Sequence, residues 1–389
     1  MPKYKFSEIA YNITDKKMPE PGDEELYIGL EHLDSGSLRV TRWGSEVELV
    51  GQKLVMQKGD ILFGRRNTYL RRAAIAPHDG IFSAHGMIFR PNTAVIDPDY
   101  FPFFISSDYF MDAAIRISVG SLSPTVNWKT LKELEFFLPD LNQQRHTAEL
   151  LSAANETKEA YQDLLIKSDE LVKSQFIELF GDYVNCNLQW EEVTLQELIN
   201  RNWITYHLDG NHGGEYPRSE EFVKYGVPYI SANCIIDGAI DFSNAKYVTN
   251  ERSKRFRKGI AQNRDVLFAH NATVGPVAIL ETTEPVVILG TSLTSYRCNT
   301  EHILPEYLKA YLECEYFVRQ YEAEMQQSTR KQVPITTQRK YSFIIPPIAA
   351  QLEFAAFIKQ LDKSKFELKQ AISNISELMK SLIQQDFGN

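Results

Sequence analysis

Residues 141–181, LNQQRHTAELLSAANETKEAYQDLLIKSDELVKSQFIELFG, return 207 positions later as IAAQLEFAAFIKQLDKSKFELKQAISNISELMKSLIQQDFG at 348–388, without a gap. Gln144 matches Gln351, Ala148 matches Ala355, Lys158 matches Lys365, Glu170-Leu171 matches Glu377-Leu378, Lys173-Ser174 matches Lys380-Ser381, and Phe180-Gly181 matches Phe387-Gly388. Apolar residues recur at alternating threes and fours in both copies: Leu151, Ala154, Tyr161, Leu165, Val172 and Leu179 in one, Ile358, Leu361, Leu368, Ile372, Ile375, Met379 and Leu382 in the other. That period predicts an amphipathic helix with a coiled-coil seam. Neither copy holds Gly or Pro before its closing Phe-Gly, and Pro139 and Pro346-Pro347 precede them as breakers. Some 35 helical residues make a rod of roughly 50 Å at about 1.5 Å per residue. Lys158 and Lys365 interrupt the seam at the same place, either fixing register or reaching out from the edge of a wide apolar face.

The repeat extends beyond the helices. YIGLEHLDSGSL at 27–38 resembles YISANCIIDGAI at 229–240, GDILFGRRNTYLRRAAIAP at 59–77 resembles RDVLFAHNATVGPVAIL at 264–280, and DPDYFPFFISSDYF at 97–110 resembles LPEYLKAYLECEYF at 304–317. Each unit is therefore a variable globular part followed by a long helix. The boundaries fall at 1–140, 141–182, 183–345 and 346–389, and the fold class is α+β, with two similar mixed α/β domains separated by two helices in an antiparallel, pseudo-two-fold pair. In the first domain, strand-like runs are expected at 27–33 and 37–40 around a turn at Asp34 to Gly36, with helix over 95–120.

With 389 residues the chain has room for two or three domains with sizeable cores. Cys186, Cys234, Cys298 and Cys314 form no CxxC, which disfavours a thiolate zinc site and a disulfide framework. No apolar run approaches a membrane span and MPKYKFSEIA lacks a signal-peptide core, so a cytoplasmic protein is expected. The net charge of −9 argues at first against nucleic acid, yet residues 141–182 alone carry four basic against eight acidic residues, so the excess acid sits disproportionately on the first helix. Basic residues elsewhere cluster, which leaves room for a basic face.

Two kinds of loop carry the clusters. Arg65, Arg66, Asn67, Tyr69, Arg71 and Arg72 stand between the apolar runs Ile61 to Phe63 and Ala73 to Ala76, the composition of a DNA-contacting hairpin tip or of a solvated charged turn. Ser123, Thr125 and Asn127 form a polar loop that either binds phosphate or caps the following helix. At the matching places the second copy has His270, Asn271 and Thr273, then Thr329, Arg330 and Lys331. The framework repeats and the candidate contact loops differ, as expected of two readers built on one scaffold. The second copy adds a Gly-rich stretch with Asn211, Tyr216 and Arg218, which could enter a groove, and a basic run at 251–264. His207 and His212 lack a third ligand nearby, so no metal site is assigned. There is no GxxxxGK[ST], GxGxxG, [ND]PP[YF], HExxH or GxSxG, so the chain reads as a binder without catalytic residues.

The order of parts, the junctions FFLPDLNQQR and FIIPPIAAQL, and the openings YIGLEHLDSG and PYISANCIIDG resemble the specificity (S) subunits of Type I restriction-modification systems. The junctions are similar to that family's apolar-Pro-Pro-leucine-x-x-Gln pattern, with Asp140 standing where the first would have Pro. The resemblance implies two target recognition domains, each reading one half of a bipartite, asymmetric site on double-stranded DNA, with the helices as a spacer. It also implies two methyltransferase (M) subunits that hold S-adenosylmethionine and modify adenine. Restriction (R) subunits would use ATP and Mg, and no cofactor would sit on this chain. The alternative is a free-standing duplicated DNA-binding regulator without enzyme partners.

Overall fold

The computed structural model describes residues 1–182, 190–211, 216–326 and 331–387. Contacts divide it into two units, Met1–Asp163 with Leu368–Asn389, and Leu164–Glu367. The long helices run from Leu141 to Phe180 and from Ile348 to Gln385.

In the first unit, one four-stranded sheet has the order Ala10–Ile13, Met87–Pro91, Ile61–Phe63, Ala73–Ile75. A second has the order Lys16–Lys17, Lys53–Met56, Gly80–Phe82, Tyr27–Ile28, and its last pair is parallel. Side chains of a strand alternate between faces, and here both faces are covered. Ile61, Phe63 and Phe89 enter a core with Phe6, Phe104, Phe110 and Phe136, while Leu62 and Ile88 join Ile28, Leu54 and Phe82 on the other side. That is why Ile61-Leu62-Phe63 is apolar throughout. Strands Lys3–Lys5 and Glu135–Phe137 pair antiparallel and close the unit.

The second unit repeats the plan. Ile204–Asp209, Leu293–Cys298, Val266–Asn271 and Thr273–Ile279 form the first sheet, and Phe222–Val223, Lys246–Val248, Val227–Ile230, Val287–Leu289 and Ile260–Ala261 the second, again with one parallel pair. Glu191–Thr194 pairs with Ser342–Ile345.

Hydrogen bonds make the duplication concrete. The buried Gln144 accepts the amide of Asp97 at 2.8 Å and donates to the carbonyls of Pro139 (2.9 Å) and Val95 (3.2 Å). The buried Gln351 accepts from Leu304 at 2.9 Å and donates to Pro346 (2.9 Å) and His302 (3.0 Å). Each glutamine fastens the start of a long helix to its own domain. Arg90 clamps the buried Asp60 (2.6 and 3.0 Å) as Arg297 clamps Asp265 (2.8 and 2.8 Å).

Within each unit the helix segments run antiparallel. In the first, Gln143 donates to Asp386 (3.1 Å), and Leu151 packs with Met379, Leu382 and Ile383. In the second, Phe176 and Phe180 meet the ring of Phe354 (5.7 and 5.4 Å), and Lys365 pairs with Asp169 at 2.5 Å. Lys158 instead donates to the carbonyl of Gly36 at 3.1 Å. Both seam lysines thus find polar partners, one on a loop and one on the facing helix.

Three local expectations change. The strand expected at 27–33 forms only over Tyr27–Ile28, after which Leu30–His32 turns as a 3-10 helix closed by the amide of Gly29 on His32 Nδ1 (2.9 Å). The strand expected at 37–40 does not form, whereas its counterpart in the second unit does, pairing Ile235–Ile236 with Ala239–Ile240. The reason is the turn: Asp237 and Gly238 both take positive φ (49° and 72°), as a two-residue hairpin needs, while in the first copy Gly36 alone does so (73°). The aromatic stretch after residue 95 becomes two helices, Phe101–Ser106 and Asp108–Arg116, broken at Ser107, whose Oγ accepts from the amide of Phe110. Among the described residues no helix is long and apolar enough to cross a membrane.

Candidate nucleic-acid interface

The hairpin Ile61–Phe63/Ala73–Ile75 brings its tip against the polar loop that lies more than fifty residues further along the chain. Val126 donates to the carbonyl of Arg65 (2.9 Å), Asn67 donates to Pro124 (2.8 Å), and Arg66 and Thr125 form an isolated antiparallel bridge. Asn67 can make this turn because it tolerates the left-handed conformation it adopts, φ 53°. Side chains lock the junction: Arg66 donates through Nε to Ser123 Oγ (3.2 Å), and that hydroxyl donates to Asn67 Oδ1 (3.1 Å). Thr125 donates to the carbonyl of Ser123 at 2.9 Å. The result is an exposed guanidinium held at a fixed place on a two-loop platform, the geometry in which arginine recognises a base edge or phosphate.

The other sequence candidates of this unit divide by their partners. Tyr69 is exposed beside the platform. Arg65 is half-buried, and its Nε is buried without a hydrogen-bond partner. Arg71 pairs with Asp108 (2.8 Å) and Asp112, and Arg72 donates to the carbonyl of Leu30 (2.8 Å), so both bind the fold together. Asn127 stands at the start of the helix Trp128–Leu131 but makes no side-chain cap, so the capping expectation fails there. Sequence reading passed over Leu122, 97% exposed between two serines of the same loop. The signal was there, in an apolar residue flanked by turn formers.

The second unit builds the same joint with other side chains. Val333 donates to the carbonyl of His270 (2.8 Å), Ala272 to Lys331 (3.1 Å), and Asn271 bridges Gln332. Ala272, at φ 65°, occupies the place of Asn67. Asn271 is half-buried, and Thr273 and Lys331 are exposed. His270 is buried: its Nδ1 lies 2.8 Å from Thr294 Oγ1, so it anchors the tip from below and corrects the expectation of a surface contact. Thr329 and Arg330 lie outside the described residues, as do His212 and Cys186.

Asn211 is also withdrawn from the surface. It is fully buried and donates to the carbonyl of Lys258 at 2.8 Å. Tyr216 is exposed, with its ring edge-on to Tyr229 at 6.1 Å, and Arg218 is exposed before a short turn whose Glu221 accepts from its backbone amide (2.8 Å). That bond above all, together with the nearby Arg252, holds the Glu221 carboxyl below its usual range. Of the basic run, Arg252 pairs with Glu221 (2.7 Å), Lys258 with Asp209 (2.8 Å) and Arg264 with Glu306, while Lys254, Arg255 and Arg257 stay exposed.

His207 lies inside the fold. Its ring is buried against Tyr296, and Nε2 faces Gln338 Oε1 at 3.2 Å. Burial, against the weaker pull of the Gln338 hydrogen bond, pushes its pKa down to about 4, so the ring is neutral.

The family described as "Type I restriction modification DNA specificity domain" matches residues 187–377. Over 377 residues the chain is 22% identical to a putative type I restriction enzyme MjaX specificity subunit of Methanocaldococcus jannaschii, covering 90% of this chain and 85% of that one. Two solved structures share the fold. The S subunit of a type I restriction-modification system from M. genitalium aligns with TM-score 0.56 at 15% identity, over 100% of this chain and 96% of that one. A chain from a study of complex assembly and conformational transition of the type I R-M system aligns with TM-score 0.55 at 16% identity, over 99% and 97%.

Proposed function

The chain belongs to the specificity subunits of type I restriction-modification systems, and from that premise we propose how its two units divide the reading of DNA. Such a subunit is non-catalytic: it recognises DNA on behalf of modification and restriction subunits. The domain spanning 1–140 reads one half of a bipartite site, through Arg66, Asn67, Tyr69 and Ser123. The domain spanning 183–345 reads the other, through Asn271, Thr273, Lys331, Tyr216 and Arg218. The segments 141–182 and 346–389 set the spacing.

One observation carries this reading. The joint between hairpin tip and following loop is repeated bond for bond in both units, while the side chains it presents differ. A conserved frame with exchanged contact groups is what two readers of unlike sequences require.

The helices support a second role. Leu164, Ile166, Leu171 and Ile177 on the first, and Leu352, Phe366 and Leu378 on the second, are large apolar residues left exposed. They suit docking of two methyltransferase subunits, which would bring S-adenosylmethionine to an adenine, with restriction subunits supplying ATP- and Mg-dependent cleavage.

The test is a domain exchange in the complete complex. Replacing residues 1–140 by the first domain of another specificity subunit should change one half of the methylated site, mapped by single-molecule sequencing, and leave the other unchanged. A change in both halves, or in neither, would overturn the division of labour.

A further inference from the structure

Beneath the second unit's hairpin lies a closed ring of buried polar groups. Gln338, fully buried, donates through Nε2 to the carbonyl of Val333 (2.9 Å) and to Thr294 Oγ1 (3.1 Å). With its oxygen accepting from Gln338, Thr294 has its hydroxyl proton left for Nδ1 of His270, 2.8 Å away. His270 then accepts at its carbonyl from the amide of Val333 at 2.8 Å, which closes the ring. On its other side Gln338 Oε1 accepts from Tyr296 (2.6 Å) and from Nε2 of His207 (3.2 Å). Both donors and both acceptor positions of the amide are used.

The fold does not need this ring. At the matching places the first unit has Met87 for Thr294, Phe89 for Tyr296 and Leu131 for Gln338, all buried in its aromatic core, and Asn12 sits opposite Phe89 as His207 sits opposite Tyr296. The hairpin-to-loop joint is the same with or without polar groups under it. Burying so many polar groups is unfavourable unless all are matched, and Nδ1 of His207 has no hydrogen-bond partner. An arrangement that is not required for folding, and that carries an unmatched group, points to a role in orienting what stands above it: the tip Asn271 to Thr273.

We propose that Gln338 is a positioning residue for DNA recognition, acting through Thr294 and His270 to fix the orientation of the Asn271–Thr273 tip and hence the base preference of the second unit. The inference rests on the reading that this tip contacts DNA. It assigns His270 to the support of the site, and makes specificity in one half of the target depend on a residue that touches no base.

The experiment uses the complete methyltransferase complex assembled with this chain, with methylated sites mapped genome-wide and competition binding against duplexes altered in either half. Gln338→Leu should relax discrimination in one half by on the order of tenfold, the equivalent of one hydrogen bond's worth of orientation. The other half should be unchanged. Thr294→Val, which removes the link and keeps the shape, should produce the same relaxation even if the leucine variant folds poorly. The double variant should be no worse than Gln338→Leu alone, because both break one chain of contacts. Equal relaxation of both halves, additive losses, or unchanged discrimination with Thr294→Val would overturn the role of Gln338. Asn271→Ala with Thr273→Ala separates the two readings. If that pair leaves the same half intact, the tip is not a contact and the premise itself fails. If the pair alters that half while Thr294→Val does not, only the inference falls.

Discussion

Beneath its hairpin the first unit packs Met87, Phe89 and Leu131, while the second sets Thr294, Tyr296 and Gln338 at the same places. Above the hairpin the distribution is reversed. The first unit ties its exposed groups to one another, Arg66 to Ser123 and Ser123 to Asn67, and the second holds its tip from below through His270. The difference teaches that the orientation of a contact loop can be fixed from either side. What the scaffold keeps is the backbone joint and the buried Asp-Arg and Gln anchors, not the chemistry that stiffens the tip.

The largest effects should come from the shared anchors. Asp60→Ala and Asp265→Ala each remove a buried carboxylate from an arginine that is only partly exposed, and each should destabilise its unit by about 3 kcal/mol. Asp265→Ala should cost roughly 1 kcal/mol more, because Asp265 also accepts from the buried Ser295 Oγ at 2.9 Å. Unfolding curves of the two variants check this. A harmless Asp60→Ala would break the claim that both units stand on the same frame.

Acid should separate the units next. Burial holds His207 near about 4, while in the unfolded chain it titrates at about 6.5. The unfolded state therefore takes up the proton first, so the second unit is at full stability above about pH 6.5 and loses up to about 3 kcal/mol as pH falls toward 4. In the first unit the comparable group is His32, whose pKa is lowered chiefly by partial burial, against the opposing pull of Glu31. It is half-exposed, so that unit should respond less. Calorimetry between pH 7 and pH 4 (the range is set by about 6.5 and about 4) should show one transition moving ahead of the other. His207→Asn, which copies the residue of the first unit, should abolish the difference.

These residues show how far the sequence could be read. The long helices, the fold class and the repeated strands were legible because periodicity and a gapless offset are local properties of the chain. The contact residues were legible only as composition. Arg66 and Arg71 look alike in GRRNTYLRR, yet Arg71 is taken by Asp108, which lies 37 residues away, and no local pattern announces that. His270 and Asn211 appear as loop residues in the sequence and prove buried, because burial is set by strands that come later. Gln338 was invisible: nothing in ITTQ distinguishes a hub from a helix-capping turn.

Arginine partners give a sharper contrast at the interface. Arg66→Ala should weaken binding of one half-site by roughly 1 to 3 kcal/mol if it meets a base edge, or lower the salt slope by about one unit if it meets phosphate. Arg71→Ala should leave half-site affinity in place and reduce the stability of the first unit by no more than about 1 kcal/mol, the scale of a solvent-accessible ion pair. Equal binding losses from both substitutions would mean that the guanidinium fixed by Ser123 has no privileged role.

The smallest effect concerns the two seam lysines, whose equivalence in sequence hides opposite electrostatics. Lys158 is half-buried, and burial lowers its pKa against a weaker pull from Glu159. Its ammonium donates to a carbonyl, not to a carboxylate, so the charge sits where it is disfavoured. Lys158→Met keeps the length of the side chain and removes that penalty, and should be neutral or slightly stabilising. Lys365 faces a carboxylate, but Asp169 is 71% exposed, so the pair is screened and worth about 0.2 to 1 kcal/mol. Lys365→Met should therefore be slightly destabilising, and more so at low salt than at high salt. Opposite signs for one substitution at two matched positions would show that the repeat fixes where a polar residue stands while the surrounding domain decides what it contributes. Matching signs would return the lysines to a common role in helix register.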